Sequence, residues 1–589
     1  MGVFPEPRYR KRIGGAVVTA AAICACLYVF VPKARASGDI IPIPVSRPAP
    51  AALASDSNTA PSANAMRLSA HDVALYRKIF AAQRRGDRGA VRALEAKLED
   101  SSLLDWAHMT RDAHNAGSSI WLPEGVADAP RVYRSPLPRT PKQQDAADSI
   151  ARAVGLLLKT DDLAQAEGIA RRALAAGTLD RIEYARLIGN IAAAHLYSNH
   201  AQAAQRLGHL ALQIGGTLVP EAAWTAGLAS WTLGDYARAG QYFAWAPHSA
   251  YADKNLRAAS AYWAGRAAMR TGHYKAVSRW LAEAARYPRQ FYGLIATRAL
   301  GARFDFNWSV PPLGNRHLQI LAQNPGAVRA LKLAQAGQMD MARLQLQLLD
   351  EKSAPQWREA LAALAVGVLD PASVMRIASL LQHPAGGRVD TAFYPVAPWQ
   401  PKDGYRLEPA LLNAFIRQES RFRVAATNKS SGARGLLQMM PRTARAMDKV
   451  AADPAALADP ATSMMIGQKY IERLLDRTDG NLFEAAIAYN AGPGNLATWK
   501  ARFAGIDDPL LFIELIPYQE TRGYVEKVMA NYWIYSLRLD AGGNGIATLD
   551  AVAAGHPAQY ARATNRDLSH DSNDIVVGAV QDDDVPTSR

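Results

Sequence analysis

Cysteine is nearly absent from this chain. Cys24 and Cys26 are the only two in 589 residues. Both lie near the start, which excludes a disulfide scaffold and a four-cysteine zinc site. No two of the twelve histidines stand four apart, so the HExxH pair of a zinc hydrolase is missing. A Walker loop and a GxSxG elbow are missing too, and these absences argue against a metalloenzyme or a phosphate-cradling NTPase. What is present is ordinary globular material. Hydrophobic residues make up 49% and charged residues 20%, which excludes wholesale disorder, and the length predicts three or more structural units. The formal charge of +14 admits nucleic acid, an anionic membrane face or an anionic polymer as partner.

Part of that charge belongs to the first 36 residues. Arg8, Arg10, Lys11 and Arg12 precede an apolar run from Ile13 to Val31, and Ala34-Arg35-Ala36 supplies small residues before Ser37. This pattern predicts a secretory signal over 1–36, cleaved before Ser37. An uncleaved anchor is the competing reading, because nineteen apolar residues approach the ~20 that span a bilayer. Without the signal the chain has no cysteine and a charge of +9.

Residues 37–65 are rich in Pro, Ala and Ser without apolar periodicity and read as a linker. From Met66 the sequence becomes Ala- and Leu-rich with helical patterning. Gly227, Gly234, Tyr236 and Ala239 recur 38 residues later as Gly265, Gly272, Tyr274 and Val277, the signature of stacked helix pairs. The predicted organisation is a helical-repeat domain over 66–385, a denser helical domain over 386–545 that begins near the Pro-broken segment Tyr394–Trp399, and a disordered tail over 546–589 rich in Gly, Asp, Ser and Asn.

The chemistry concentrates between 408 and 525. Pro409 opens a predicted helix whose apolar face carries Leu411, Leu412, Phe415 and Ile416. Glu419 falls on that face, four residues after Phe415. An isolated Glu at a helix end usually just reaches solvent. A carboxyl against apolar walls instead has its pKa raised toward the working pH, as a general acid requires. Gly432 and Gly435 allow a sharp turn before Gln438, whose amide both donates and accepts. Met439 and Met440 read, on sequence logic alone, as plain core packing. Tyr489 ends a helix capped by Asn481, beside Gly492-Pro493-Gly494; a dinucleotide reading of that turn fails because no strand precedes it. Glu514 precedes Pro517, while Glu520, Arg522 and Tyr524 open the next helix.

Glu419-Ser420, Gly435-Leu436-Leu437-Gln438, Ala488-Tyr489-Asn490-Ala491-Gly492 and the Glu514/Pro517/Glu520-Thr521-Arg522 block stand in the order of the family 1 lytic transglycosylases, and the chain resembles their soluble murein-cleaving members of the Gram-negative periplasm. Phe291–Ala296 and Tyr394-Pro395 resemble further landmarks of that family. The resemblance implies an all-α fold, an N-terminal α-superhelical ring followed by a C-terminal lysozyme-like catalytic domain. It also implies Glu419 as sole acid/base, and Gln438, Met440, Tyr489, Asn490 and Glu514 as substrate-binding residues. The implied substrate is the peptidoglycan glycan strand, with no cofactor, no metal and no nucleic acid, in a periplasmic monomer that associates with the membrane or the wall-synthesis machinery. Two departures stand out. Leu437 replaces the usual Met, a volume-conserving swap, and sixteen residues separate Glu419 from Gly435, one more than the family spacing. A polar family position between them then maps to Asn428, Lys429 or Ser430. Two other readings remain open at this point: a muramidase using water, with Glu514 as its second carboxylate, and a non-catalytic repeat scaffold.

Overall fold

A computed structural model describes residues 66–104, 107–108, 133–349, 355–383, 387–449, 453–539 and 543–561. The predicted signal, the linker and the end of the predicted tail lie outside them. The fold is all-α. Among the described residues the only paired strands are Gln382–His383 and Gly387–Arg388.

The 38-residue repeat corresponds to two consecutive helical hairpins. The first pairs helix Pro220–Thr232 with Tyr236–Phe243, the second Lys254–Arg270 with Tyr274–Ala285. Gly234 and Gly272 turn each hairpin with φ of +78° and +75°, a conformation that L side chains avoid. The other repeated glycine works by close approach. A Cβ on Gly227 would lie 2.4 Å from the Phe243 ring, so the missing side chain is what lets the paired helix pack. Hairpins of this kind continue on the N-terminal side through Leu163–Ala175, Arg181–Tyr197 and Ala201–Gly215. Asp162, Asp180, Asp235 and Asp253 each cap the helix they precede through the side chain, satisfying amides that a helix start leaves open.

The array is tied back on itself at its ends. Helices Ala70–Arg84 and Arg88–Glu95 share a core with residues 318–392, including Tyr76, Ile79, Phe80, Leu321, Leu333 and Leu364. Leu68 N donates to Gln335 Oε1 at 3.0 Å, and Lys332 Nζ pairs with Asp100 at 2.5 Å.

The C-terminal helices pack against the array along one edge. Arg266 bonds Asp508 at 2.7 Å while lying 4.8 and 4.5 Å from the rings of Trp231 and Trp263. Arg502 donates to the Tyr197 carbonyl at 3.1 Å. At the centre is helix Gln519–Arg538, of which thirteen residues are buried. Helix Pro409–Glu419 packs on it.

The tail expected from residue 546 does not begin there. Residues Asn544–Ala553 form a helix, and Ile546, Leu549 and Val552 repeat at helical spacing. Gly545 sits where a Cβ would strike the Ser536 hydroxyl. Thr548 accepts from buried Trp533 at 3.1 Å, Arg298 grips Asp550, and Tyr560 N donates to the Gly480 carbonyl at 2.9 Å. Long-range partners, invisible to local composition, hold these residues.

Candidate active site

Helix Pro409–Glu419 is fixed by polar groups at both ends. Asn413, fully buried, accepts from Ala397 N and donates to the Pro409 carbonyl, both at 2.8 Å. Glu408, just before the helix, accepts from the Tyr532 hydroxyl at 2.6 Å and from Asn544 N at 3.0 Å. Near the other end Arg417 donates to Asn531 at 2.7 Å and to the Phe393 carbonyl at 2.9 Å, with its guanidinium 4.2 Å from the Tyr394 ring centre. Glu419 is therefore placed by a clamped element. Beyond it the chain turns sharply through Arg421 and Phe422, at φ of +50° and +63°. Two successive non-glycine residues in the left-handed region are strained, the kind of backbone that clusters at functional sites.

Burial pushes the Glu419 carboxyl up to about 7; the Tyr524 hydroxyl opposes this and the Glu520 charge adds to it. Tyr524 donates to Glu419 Oε1 at 2.5 Å. Position contributes as well, since the negative end of a helix dipole disfavours an anion. The wall around the carboxyl is aromatic. Tyr524 stacks on Tyr489 at 12° between planes, and Phe415 lies 4.9 Å from Tyr489 between ring centres.

The Gly435–Met440 turn faces this wall through Tyr489, whose hydroxyl donates to the Leu437 carbonyl at 2.6 Å. Gly435 has φ of +78°, and a Cβ there would come 2.3 Å from the Leu457 carbonyl oxygen. Leu437 is fully buried against Gly467, so the Leu in place of Met is accommodated. Gln438, itself at φ of +43°, donates from its amide nitrogen to the carbonyls of Ala426 and Gly435 at 3.1 and 2.9 Å. That fixes the amide, and its oxygen accepts no hydrogen bond among the described residues. Met440 is 40% exposed. Between the two motifs, Asn428 Oδ1 accepts from Ser430 N and Oγ at 3.0 and 2.7 Å. Asn428 and Ser430 thus form one self-contained turn, with Lys429 exposed between them.

Glu419, Gln438 and Tyr489 are brought together through Tyr524 and the Leu437 carbonyl, and exposed Met440 closes the same turn. Asn490 belongs to the support, accepting from Thr521 Oγ1 at 2.7 Å and so joining two helices. Glu514 departs from its expected place. It is 4% exposed and accepts from Tyr292 of the helical array at 2.5 Å. Its carboxyl is held by the array, and the physical reason is tertiary: Tyr292 lies 222 residues away in sequence. Tyr524 went unassigned in the sequence reading. The signal was there, since Thr521, Tyr524, Val525 and Val528 make an i, i+3, i+4, i+7 stripe on the helix that faces Glu419.

Comparison with known proteins adds a second line of observation. Residues 399–509 match the Transglycosylase SLT domain family. Residues 515–542, the long helix and its approach, match the family described as soluble lytic transglycosylase helical domain. The soluble lytic murein transglycosylase of Escherichia coli K12 is 37% identical over 132 residues, 22% of this chain and 20% of that protein. The corresponding protein of Salmonella typhimurium is 39% identical over 122 residues, 20% and 19% of the two chains. These alignments span about a fifth of the curated relatives. In shape the likeness extends further. The 70 kDa soluble lytic transglycosylase of Escherichia coli superposes with a TM-score of 0.52 at 21% identity, over 80% of this chain and 73% of that one. An inactive mutant of lytic transglycosylase Slt from Pseudomonas aeruginosa gives 0.51 at 19% identity, over 79% and 73%. The shared fold is an α-superhelix carrying a lysozyme-like domain.

Proposed function

We propose that this chain, whose residues 399–509 match the transglycosylase SLT domain, is a peptidoglycan lytic transglycosylase. It cleaves the β-1,4 bond between N-acetylmuramic acid and N-acetylglucosamine and leaves a 1,6-anhydromuramic end. Residues 1–36 direct it to the periplasm, 66–385 form the superhelix, and the catalytic domain runs from 386 through the helix that ends at Ala553. The polymer's carboxylates suit a basic protein.

Glu419 carries the chemistry. In its protonated form it gives the proton to the glycosidic oxygen, the C1–O bond breaks, and N-acetylglucosamine leaves with that proton. Positive charge develops at C1 and the ring oxygen. The resulting carboxylate then takes the proton of the muramic C6 hydroxyl as O6 bonds to C1. The substrate supplies the nucleophile, so proximity replaces the second carboxylate of an ordinary glycosidase. Gln438 presents its amide oxygen to the sugar's acetamido group, Tyr489 and Asn490 hold the walls, and Met440 contacts the sugar face.

The observation that carries this reading is the buried Glu419 carboxyl, raised by burial to about 7, beside the Tyr524 hydroxyl in the aromatic wall that meets the Gln438 turn. Mass spectrometry of digested murein sacculi tests it: anhydromuramic ends are expected, and Glu419→Gln should slow their release about 10²–10⁴-fold. Reducing muramic ends in place of anhydromuramic ones would overturn this reading.

A further inference from the structure

Glu514 and Glu526 form a buried acidic pair that the proposed chemistry does not use. The Glu514 charge acts on Glu526, and two carboxyls that share one buried site cannot both ionise at low cost. Both residues are under 10% exposed, so water does little to offset a second negative charge there. The remaining valences are filled from the helical array. Tyr292 donates to Glu514 Oε1 at 2.5 Å, and Asn255 Nδ2 donates to Glu526 Oε2 at 2.7 Å.

Helix Gln519–Arg538 links this pair to the candidate active site. Tyr524 and Glu526 are two positions apart and so point to opposite sides of the helix. Tyr524 meets Glu419, while Glu526 meets the array. On the Glu526 side, four positions earlier, Arg522 donates to the Ile516 carbonyl and lies 4.4 Å from the Tyr197 ring centre. We propose that Glu514 and Glu526 share a proton across this junction and act as positioning residues, through which the superhelix sets Tyr524 against Glu419.

The charged and titratable groups around the pair are few. Arg522 comes from the helix itself, Tyr292 and Tyr197 from the array, and Asn255 adds a neutral amide. Burial first, and then the Glu514 charge, hold Glu526 up at about 8. At this pair the folded state therefore binds more protons than the unfolded chain between the ordinary carboxylate value and about 8. The pair's contribution to stability falls as pH rises through that range. Glu419 contributes the same sign only up to about 7, so the pair's contribution outlasts it.

The inference rests on the proposed activity only for its kinetic half. Thermal unfolding of the full chain should lose about 2 °C or more between pH 7 and 8.5 in wild type. Glu526→Gln, which donates an amide proton to Glu514 at every pH, should not lose it. Tyr292→Phe, on the array side of the junction, should lower kcat on soluble glycan strands about tenfold with KM unchanged, and Glu526→Gln should retain turnover where Glu526→Ala loses it. A wild-type pH slope that persists in Glu526→Gln overturns the shared proton. Unchanged kcat in Tyr292→Phe overturns the positioning role. An inactive wild type with the expected thermal behaviour would instead count against the proposed reaction alone.

Discussion

Glu419 keeps its proton because it is enclosed, and that has two measurable signs. Replacing it with Gln should cost about 10²–10⁴ in turnover. The same change should stabilise the fold. An unfolded Glu ionises near its ordinary value while the folded one stays protonated to about 7, so wild type loses stability as pH climbs between those values and Gln does not. The gain approaches about 3 kcal/mol above pH 8 and is read from melting curves. Tyr524→Phe removes a donor that favours the charged form, so the alkaline limb of the pH–rate profile should move up. Glu520→Gln removes a repulsive charge and should move it down. Glu419 was legible in the sequence because apolar spacing on one helix placed it. Glu514 was misplaced because nothing local announces Tyr292, and Tyr524 was overlooked because its stripe was read as a helix opening.

At the level of elements, two turns carry the site. The Gly435 turn tolerates no side chain, both for its positive φ and for the Leu457 carbonyl 2.3 Å from a Cβ. Gly435→Ala should cost at least about 2 kcal/mol and displace Gln438, with activity lost more steeply than helicity measured by circular dichroism. The helical hairpins were legible from glycine and aromatic spacing alone, since each repeat uses contacts close in sequence. The helix Asn544–Ala553 was not, although its apolar spacing is regular. The Gly-, Asp-, Ser- and Asn-rich sequence beyond it pointed to disorder, and its stabilising partners are Trp533, Arg298 and Glu408. Removing residues 544–561 should therefore cost about 3 kcal/mol or more, seen as a lowered thermal midpoint.

For the whole molecule, the array and the catalytic helices share one continuous core that runs from Leu196 to Tyr560. All-α architecture and the order of its parts followed from composition and repeats. How the parts meet did not, because Arg266–Asp508 and Tyr292–Glu514 join residues more than 200 positions apart. The overall basic charge makes a prediction at this scale. Activity on sacculi should fall between about 0.01 M and 1 M salt, as the screening length shrinks from about 30 Å to 3 Å; a flat response would show that the charge does not guide the substrate. A last consequence concerns time. Glu408 stands at the head of the helix that carries Glu419, and one of the two donors to its carboxylate is an amide 136 residues further along. A chain made from its N-terminus gains that contact only after those residues have emerged, so the helix that carries Glu419 reaches its full stability late in synthesis.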